Sequence, residues 1–151
     1  MRLSKGFTLI ELLTLIALMA VVSAIAIPSI IGVLPKHRLS GSAREILSIL
    51  HFAKMAAIKE NSNVIVEFKP ATRECIVSVD DAPEDGSWTP GERILKSYTM
   101  PAGVNLLAPS FGTVLSFNNR GFADSTGDVT VQNSVGDRKV RVMPSGHCKI
   151  L

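Results

Sequence analysis

The sequence predicts an α+β protein in which a long N-terminal helix packs on an antiparallel β-sheet domain. Three observations carry this. From Phe7 to Ile27 there are 21 residues with a single charge, Glu11. Beyond Lys36 apolar residues recur at spacings of three and four, the period of an amphipathic helix. The remainder consists of short apolar–polar alternations separated by Pro, Gly and Asn clusters, the pattern of strands and turns. One helix followed by a run of strands belongs to the α+β class. A chain of 151 residues has room for one domain and one accessory element. The 115 residues after Lys36 suffice to bury a modest core without metals or many disulfides.

The first half of the helix is long enough to cross a bilayer, since about 20 residues span roughly 30 Å. Arg2 and Lys5 precede it, so the positive-inside tendency holds the N-terminus in the cytoplasm. A secretory signal would end at a small-residue cleavage site. Ser23-Ala24-Ile25-Ala26 offers one, but Ile27, Ile30, Ile31, Val33 and Leu34 carry the apolar run past it. A plain signal anchor explains the length but not Glu11, a carboxylate whose burial at a helix centre costs about 2.5–3.5 kcal/mol. Cleavage between Gly6 and Phe7 would give it a partner. The new α-amine at Phe7 lies one turn away, and the carboxylate sits near the positive end of the helix dipole. In a filament the same carboxylate would neutralise the amine of a neighbouring subunit, setting register more than net stability, because desolvation offsets much of the attraction.

Lys5-Gly6-Phe7-Thr8-Leu9-Ile10-Glu11-Leu12 resembles the class III signal of type IV pilins and type II secretion pseudopilins: a short basic leader ending in Gly, then Phe, then Glu four residues later, all heading an apolar helix. The resemblance implies that a prepilin peptidase cuts after Gly6, that the amine of Phe7 is methylated, and that Glu11 serves assembly. Pro28 falls where such helices often carry a proline, which removes one hydrogen bond and permits a kink.

In the second half of the helix, Leu39, Ala43, Ile46, Leu47, Leu50, Ala53, Ala57 and Ile58 share one face, while Arg38, Arg44, Glu45, Lys59 and Glu60 mostly occupy the other. His51 and Met55 lie beside the apolar stripe. Asn61-Ser62-Asn63 ends the helix. Strands are predicted at Val64–Lys69, Glu74–Asp80, Arg93–Thr99, Val104–Leu107, Val114–Asn118, Asp128–Gln132, Lys139–Met143 and His147–Ile150, with a long acidic loop containing Trp88 over 80–91. The organisation is thus a leader at 1–6, a membrane-spanning assembly segment at 7–35, an amphipathic helical half at 36–62 and a β-rich periplasmic domain at 63–151.

Three further segments are similar to the GspH/FimT type of minor pilin: Ala56-Ala57-Ile58-Lys59-Glu60-Asn61-Ser62-Asn63-Val64, Leu115-Ser116-Phe117-Asn118-Asn119-Arg120-Gly121 and Arg141-Val142-Met143-Pro144-Ser145-Gly146-His147-Cys148-Lys149. That likeness implies the pilin fold and a structural subunit of a type II secretion pseudopilus or type IV pilus, at or near its tip or in assembly initiation. Some FimT-like pilins bind DNA through a closing Gly-Arg-x-Arg element. The matching positions here read Gly146-His147-Cys148-Lys149, without either arginine. A basic cluster of Arg138, Lys139, Arg141 and Lys149 remains as the alternative, a patch for nucleic acid or another partner. A solvated strand face has the same composition.

The overall charge gives that alternative little support. The net charge is +3, with 16 basic and 13 acidic residues; loss of the leader takes Arg2 and Lys5 and leaves 14 against 13. Cys75 and Cys148 match no metal spacing. In an oxidising compartment they would form one bridge, and as core residues they would be free thiols; two cysteines decide neither. His37, His51 and His147 accompany no carboxylate pair, nucleophile motif or phosphate loop, so no enzyme, cofactor, metal or small-molecule substrate is expected. The expected partners are other pilins through the N-terminal helix, the prepilin peptidase and inner-membrane lipid before assembly. The expected location is the bacterial inner membrane, single-pass with the domain in the periplasm, and then the pilus or pseudopilus.

Overall fold

A computed structural model describes residues 7–81 and 92–151, with the backbone alone for 26–31. The leader with Gly6, the side chain of Pro28 and the acidic loop with Trp88 therefore lie outside the described residues. The chain divides into two compact units, Met1–Leu34 and Pro35–Leu151. One helix, α1 (Leu9–Glu60), contributes its first part to one unit and its second part to the other.

In the first unit the described side chains from Leu9 to Ile25 are all exposed. Among the described residues no helix is long and apolar enough to cross a membrane. The membrane-spanning half expected over 7–35 is thus not found in them. Side chains of that half are described over 7–25 and 32–35, and those of 26–31 lie outside the described residues.

The second unit holds the core. Among the described residues eight strands form two antiparallel four-stranded sheets. The first sheet has the order β3-β2-β1-β5, from β1 (Val64–Lys69), β2 (Glu74–Val79), β3 (Ile94–Thr99) and β5 (Val114–Phe117). The second has the order β4-β6-β7-β8, from β4 (Asn105–Leu106), β6 (Gly127–Asn133), β7 (Gly136–Val142) and β8 (Cys148–Ile150). The strand alternation read from the sequence sets the inner faces. Val64, Val66 and Phe68 of β1 join Cys75, Val77 and Val79 of β2, while Val129 and Val131 of β6 join Val140 and Val142 of β7.

The helix closes this core with Leu39, Ala43, Ile46, Ile49, Leu50, Ala53, Ala56 and Ala57, all buried in one cluster with the inner faces of both sheets. Their successive steps of four, three, three, one, three, three and one keep a single broad stripe inward. Four of the eight are alanines, whose small side chains let the helix backbone approach closely. Phe68 and Phe111 meet edge to face at 6.0 Å between ring centroids, a favoured aromatic geometry. The stripe differs at its ends from the expected one: Ile49 is inside, Ile58 is 45 % exposed, and Met55 is fully on the outer side. Two sheets give the helix a wider surface to cover than one, and this draws Ile49 and Ala56 into contact.

Candidate assembly helix and basic surface

The helix begins at a capping box. Thr8 precedes the first helical residue, and its hydroxyl accepts a hydrogen bond from the Glu11 N–H at 3.3 Å. Glu11 Oε2 in turn accepts from the Thr8 backbone N–H at 2.9 Å and from the Thr8 hydroxyl at 3.0 Å. Helix N-termini leave N–H groups without intrahelical partners, and this reciprocal pair satisfies two of them. Glu11 therefore has a local hydrogen-bonding partner in Thr8, which supplies donors but no opposite charge. Both Thr8 bonds fall on Oε2, which leaves Oε1 open to an amine. The Thr-x-x-Glu spacing was present in the sequence as a signal for this arrangement.

The four basic residues of the closing strands do not form one surface. In β7, Arg138 shares the row of Val140 and Val142, whereas Lys139 and Arg141 point to the opposite face. Lys149 of β8 pairs directly with Arg141 across the ladder. Arg141 is already engaged: its Nε donates to Asp128 Oδ1 at 2.8 Å and its Nη2 to Asp128 Oδ2 at 2.9 Å. This fork holds the Asp128 carboxyl below its ordinary range, chiefly through the hydrogen bond. The expected cluster of Arg138, Lys139, Arg141 and Lys149 is thus split by strand alternation, and one of its members is neutralised. Asp128 was invisible as a partner in the sequence because only the β6–β7 register sets it opposite Arg141.

Three sequence-distant segments converge at the C-terminal end of α1. Lys54 Nζ donates to the Ser145 carbonyl at 3.0 Å, and Asn119 Nδ2 donates to Asn61 Oδ1 at 3.3 Å. The Ala123 N–H donates to the Pro144 carbonyl at 3.1 Å. At the centre, two glycines with left-handed backbones touch, Gly121 (φ 78°) and Gly146 (φ 67°). A Cβ on Gly146 would sit 2.0 Å from the Gly121 carbonyl oxygen. Asn118 braces the turn, its Oδ1 accepting from the Arg120 and Phe122 N–H groups at 3.0 Å each.

Cys75 lies in β2 and Cys148 in β8, in different sheets, and both are buried free thiols. The bridge considered from the sequence is not formed. Burial pushes the Cys75 thiol up to about 12 and the Cys148 thiol up to about 11. His37, His51 and His147 are all exposed, and among the described residues no group of His, Cys, Asp and Glu could hold a metal ion.

A family model described as type II transport protein GspH matches residues 42–146, a span that contains this convergence, the first sheet, and the second sheet except β8. The chain belongs to the GspH family. No curated protein matches the sequence. Among solved structures, the GspH-family chain is similar to the type IV minor pilin FimU of Pseudomonas aeruginosa, at 12% identity and a TM-score of 0.60, over 77% of this chain and 90% of that one. It is also similar to the minor pseudopilin EpsH of the Vibrio cholerae type II secretion system. One EpsH structure matches at 14% identity and a TM-score of 0.61, over 77% of this chain and 94% of that one. A second matches at 15% identity and 0.58, over 76% and 96%. At these identities the likeness establishes the fold, a pilin-like helix on antiparallel sheets. The segments that carried the GspH/FimT resemblance are those that meet around Gly121 and Gly146, so their shared pattern has a packing cause.

Proposed function

We propose that this GspH-family chain is a non-enzymatic minor subunit of a cell-envelope filament, a type II secretion pseudopilus or a type IV pilus, acting at or near the tip or in assembly initiation. The observation that carries the reading is the coexistence of two independent features: the family match over 42–146 and the Gly6-Phe7…Glu11 signal ahead of it. The precursor is held in the inner membrane by the apolar run, with its domain in the periplasm. A prepilin peptidase removes Met1–Gly6, and the Phe7 amine is methylated. The apolar side chains from Leu9 onward need a non-aqueous neighbour, lipid before assembly and the helices of other pilins afterwards. Pro28 is a point at which that helix can bend during transfer.

The Thr8–Glu11 box makes this testable at one atom. Glu11→Gln keeps a hydrogen-bonding residue at the third helical position, so the helix start survives, but it removes the charge that would meet an amine. The variant should be made, inserted and cut like wild type, yet be depleted about tenfold or more from sheared filaments, the change expected of an interaction worth roughly 1.4 kcal/mol. Filament levels equal to wild type would remove the charge-pairing role of Glu11. The nucleic-acid alternative keeps only Lys139 and Lys149 as unpaired cations on the outer face of the closing strands, a weak base for phosphate contacts.

A further inference from the structure

We infer that Arg44 and Arg138 form a binding site for a phosphate-type oxyanion. They come from elements far apart in sequence, α1 and β7, yet line one cleft of about 190 Å³ together with Ser40, Ala43 and Ile150. One water needs roughly 10–15 Å³ on the same measure, so the cleft admits a polyatomic anion. Ala43 is buried and Ile150 packs against the core, which gives the cleft a fixed, apolar floor.

Among the described residues the ion pairs Glu67–Lys69, Glu60–Arg93, Glu45–Lys96 and Asp128–Arg141 form, and neither Arg44 nor Arg138 takes part in any of them. The neighbouring acids are turned away: Glu45 is bound by Lys96, and Asp137 projects from the opposite face of β7. Two cations facing one cleft with apolar walls concentrate positive potential there. Guanidinium forks match tetrahedral oxyanions bidentately, and the Ser40 hydroxyl supplies a further donor. A single carboxylate would neutralise only one of the two charges, whereas a phosphate monoester carries about −1.5 to −2 near pH 7. The favoured ligand is therefore a dianionic phosphate, either free or borne as a monoester on a lipid headgroup. This site is distinct from the Lys139–Arg141–Lys149 face and does not rest on the filament reading.

The test uses the full chain in an uncharged detergent, with arginine side-chain N–H resonances followed by NMR at constant ionic strength. Inorganic phosphate at millimolar concentration should shift the Arg44 and Arg138 Nε–H signals saturably and leave Arg120 unmoved. Arg44→Gln and Arg138→Gln should each weaken that binding about tenfold, the effect of removing a charge-assisted hydrogen bond. Tighter binding of inorganic phosphate than of glycerol 3-phosphate, the soluble monoester headgroup of a phosphatidic-acid lipid, assigns the site to free phosphate; the reverse order assigns it to a headgroup. Absence of saturation, equal binding of acetate, or unchanged binding in both variants would overturn the proposal.

Discussion

Gly146 occupies a position that no other L-residue fits, for two separable reasons. Its backbone is left-handed, which costs a Cβ-bearing residue about 1–2 kcal/mol, and the Cβ would press on the Gly121 carbonyl oxygen at 2.0 Å. Adding an overpacking term of about 1–3 kcal/mol, Gly146→Ala should destabilise the domain by roughly 2–5 kcal/mol in chemical denaturation. A loss below about 0.5 kcal/mol, the level of an ordinary surface substitution, would contradict the contact. The buried thiols give a second residue-level prediction. A thiol whose folded pKa is raised stays protonated in the folded state while it ionises in the unfolded one. The contribution of Cys75 to stability is thus complete below about pH 9 and is lost as pH rises toward about 12; that of Cys148 is lost toward about 11. Native protein at pH 8 should resist alkylation at both positions and react at both once unfolded, and rapid labelling of native Cys75 would refute its burial. At this scale the sequence was legible where chemistry is local. Glu11 stood out as a charge in an apolar run, and its Thr8 partner was readable from a three-residue spacing. The Asp128–Arg141 fork was not readable, because it exists only through strand register.

At the scale of elements, helix periodicity and strand alternation carried most of the fold. β1 begins and ends where its alternation does, and β5 to β8 lie within a few residues of their predicted spans. What alternation cannot specify is which strands share a sheet. β5 joins the first sheet by pairing with β1, across a connection that includes β2, β3 and β4, whereas β4 crosses to β6 in the second. Those pairings are non-local, and every candidate strand had the same apolar–polar pattern. The helix stripe shows the same limit at its margins, since the width of the buried face depends on how many strands lie beneath it. The stripe can be tested by contrast. Ile46 is 0 % exposed and Met55 is 64 % exposed, although both are large apolar residues on one helix. Ile46→Ala should cost about 2–5 kcal/mol through lost burial and a residual cavity. Met55→Ala should change stability by no more than about 0.5 kcal/mol. Equal losses at the two positions would mean that the helix is rotated relative to the core.

For the whole molecule, the two units differ in how much apolar surface they bury. Pro35–Leu151 has its own core, built from one helix stripe and two sheets, and contains the whole of the family match. The helix before it exposes Leu9, Ile10, Leu12, Leu13, Ile16 and Leu18 together, which an isolated soluble chain has no reason to do. The proposed processing, membrane insertion and assembly of this helix would account for that exposure, for the basic leader and for the open Glu11 oxygen at once. The most direct test is mass spectrometry of the N-terminal peptide of the chain recovered from cell envelopes. The account predicts a peptide beginning at Phe7 with one methyl group on its amine. A peptide retaining Met1–Gly6, or one beginning after Ala24 or Ala26 as a secretory signal would leave it, would contradict the account.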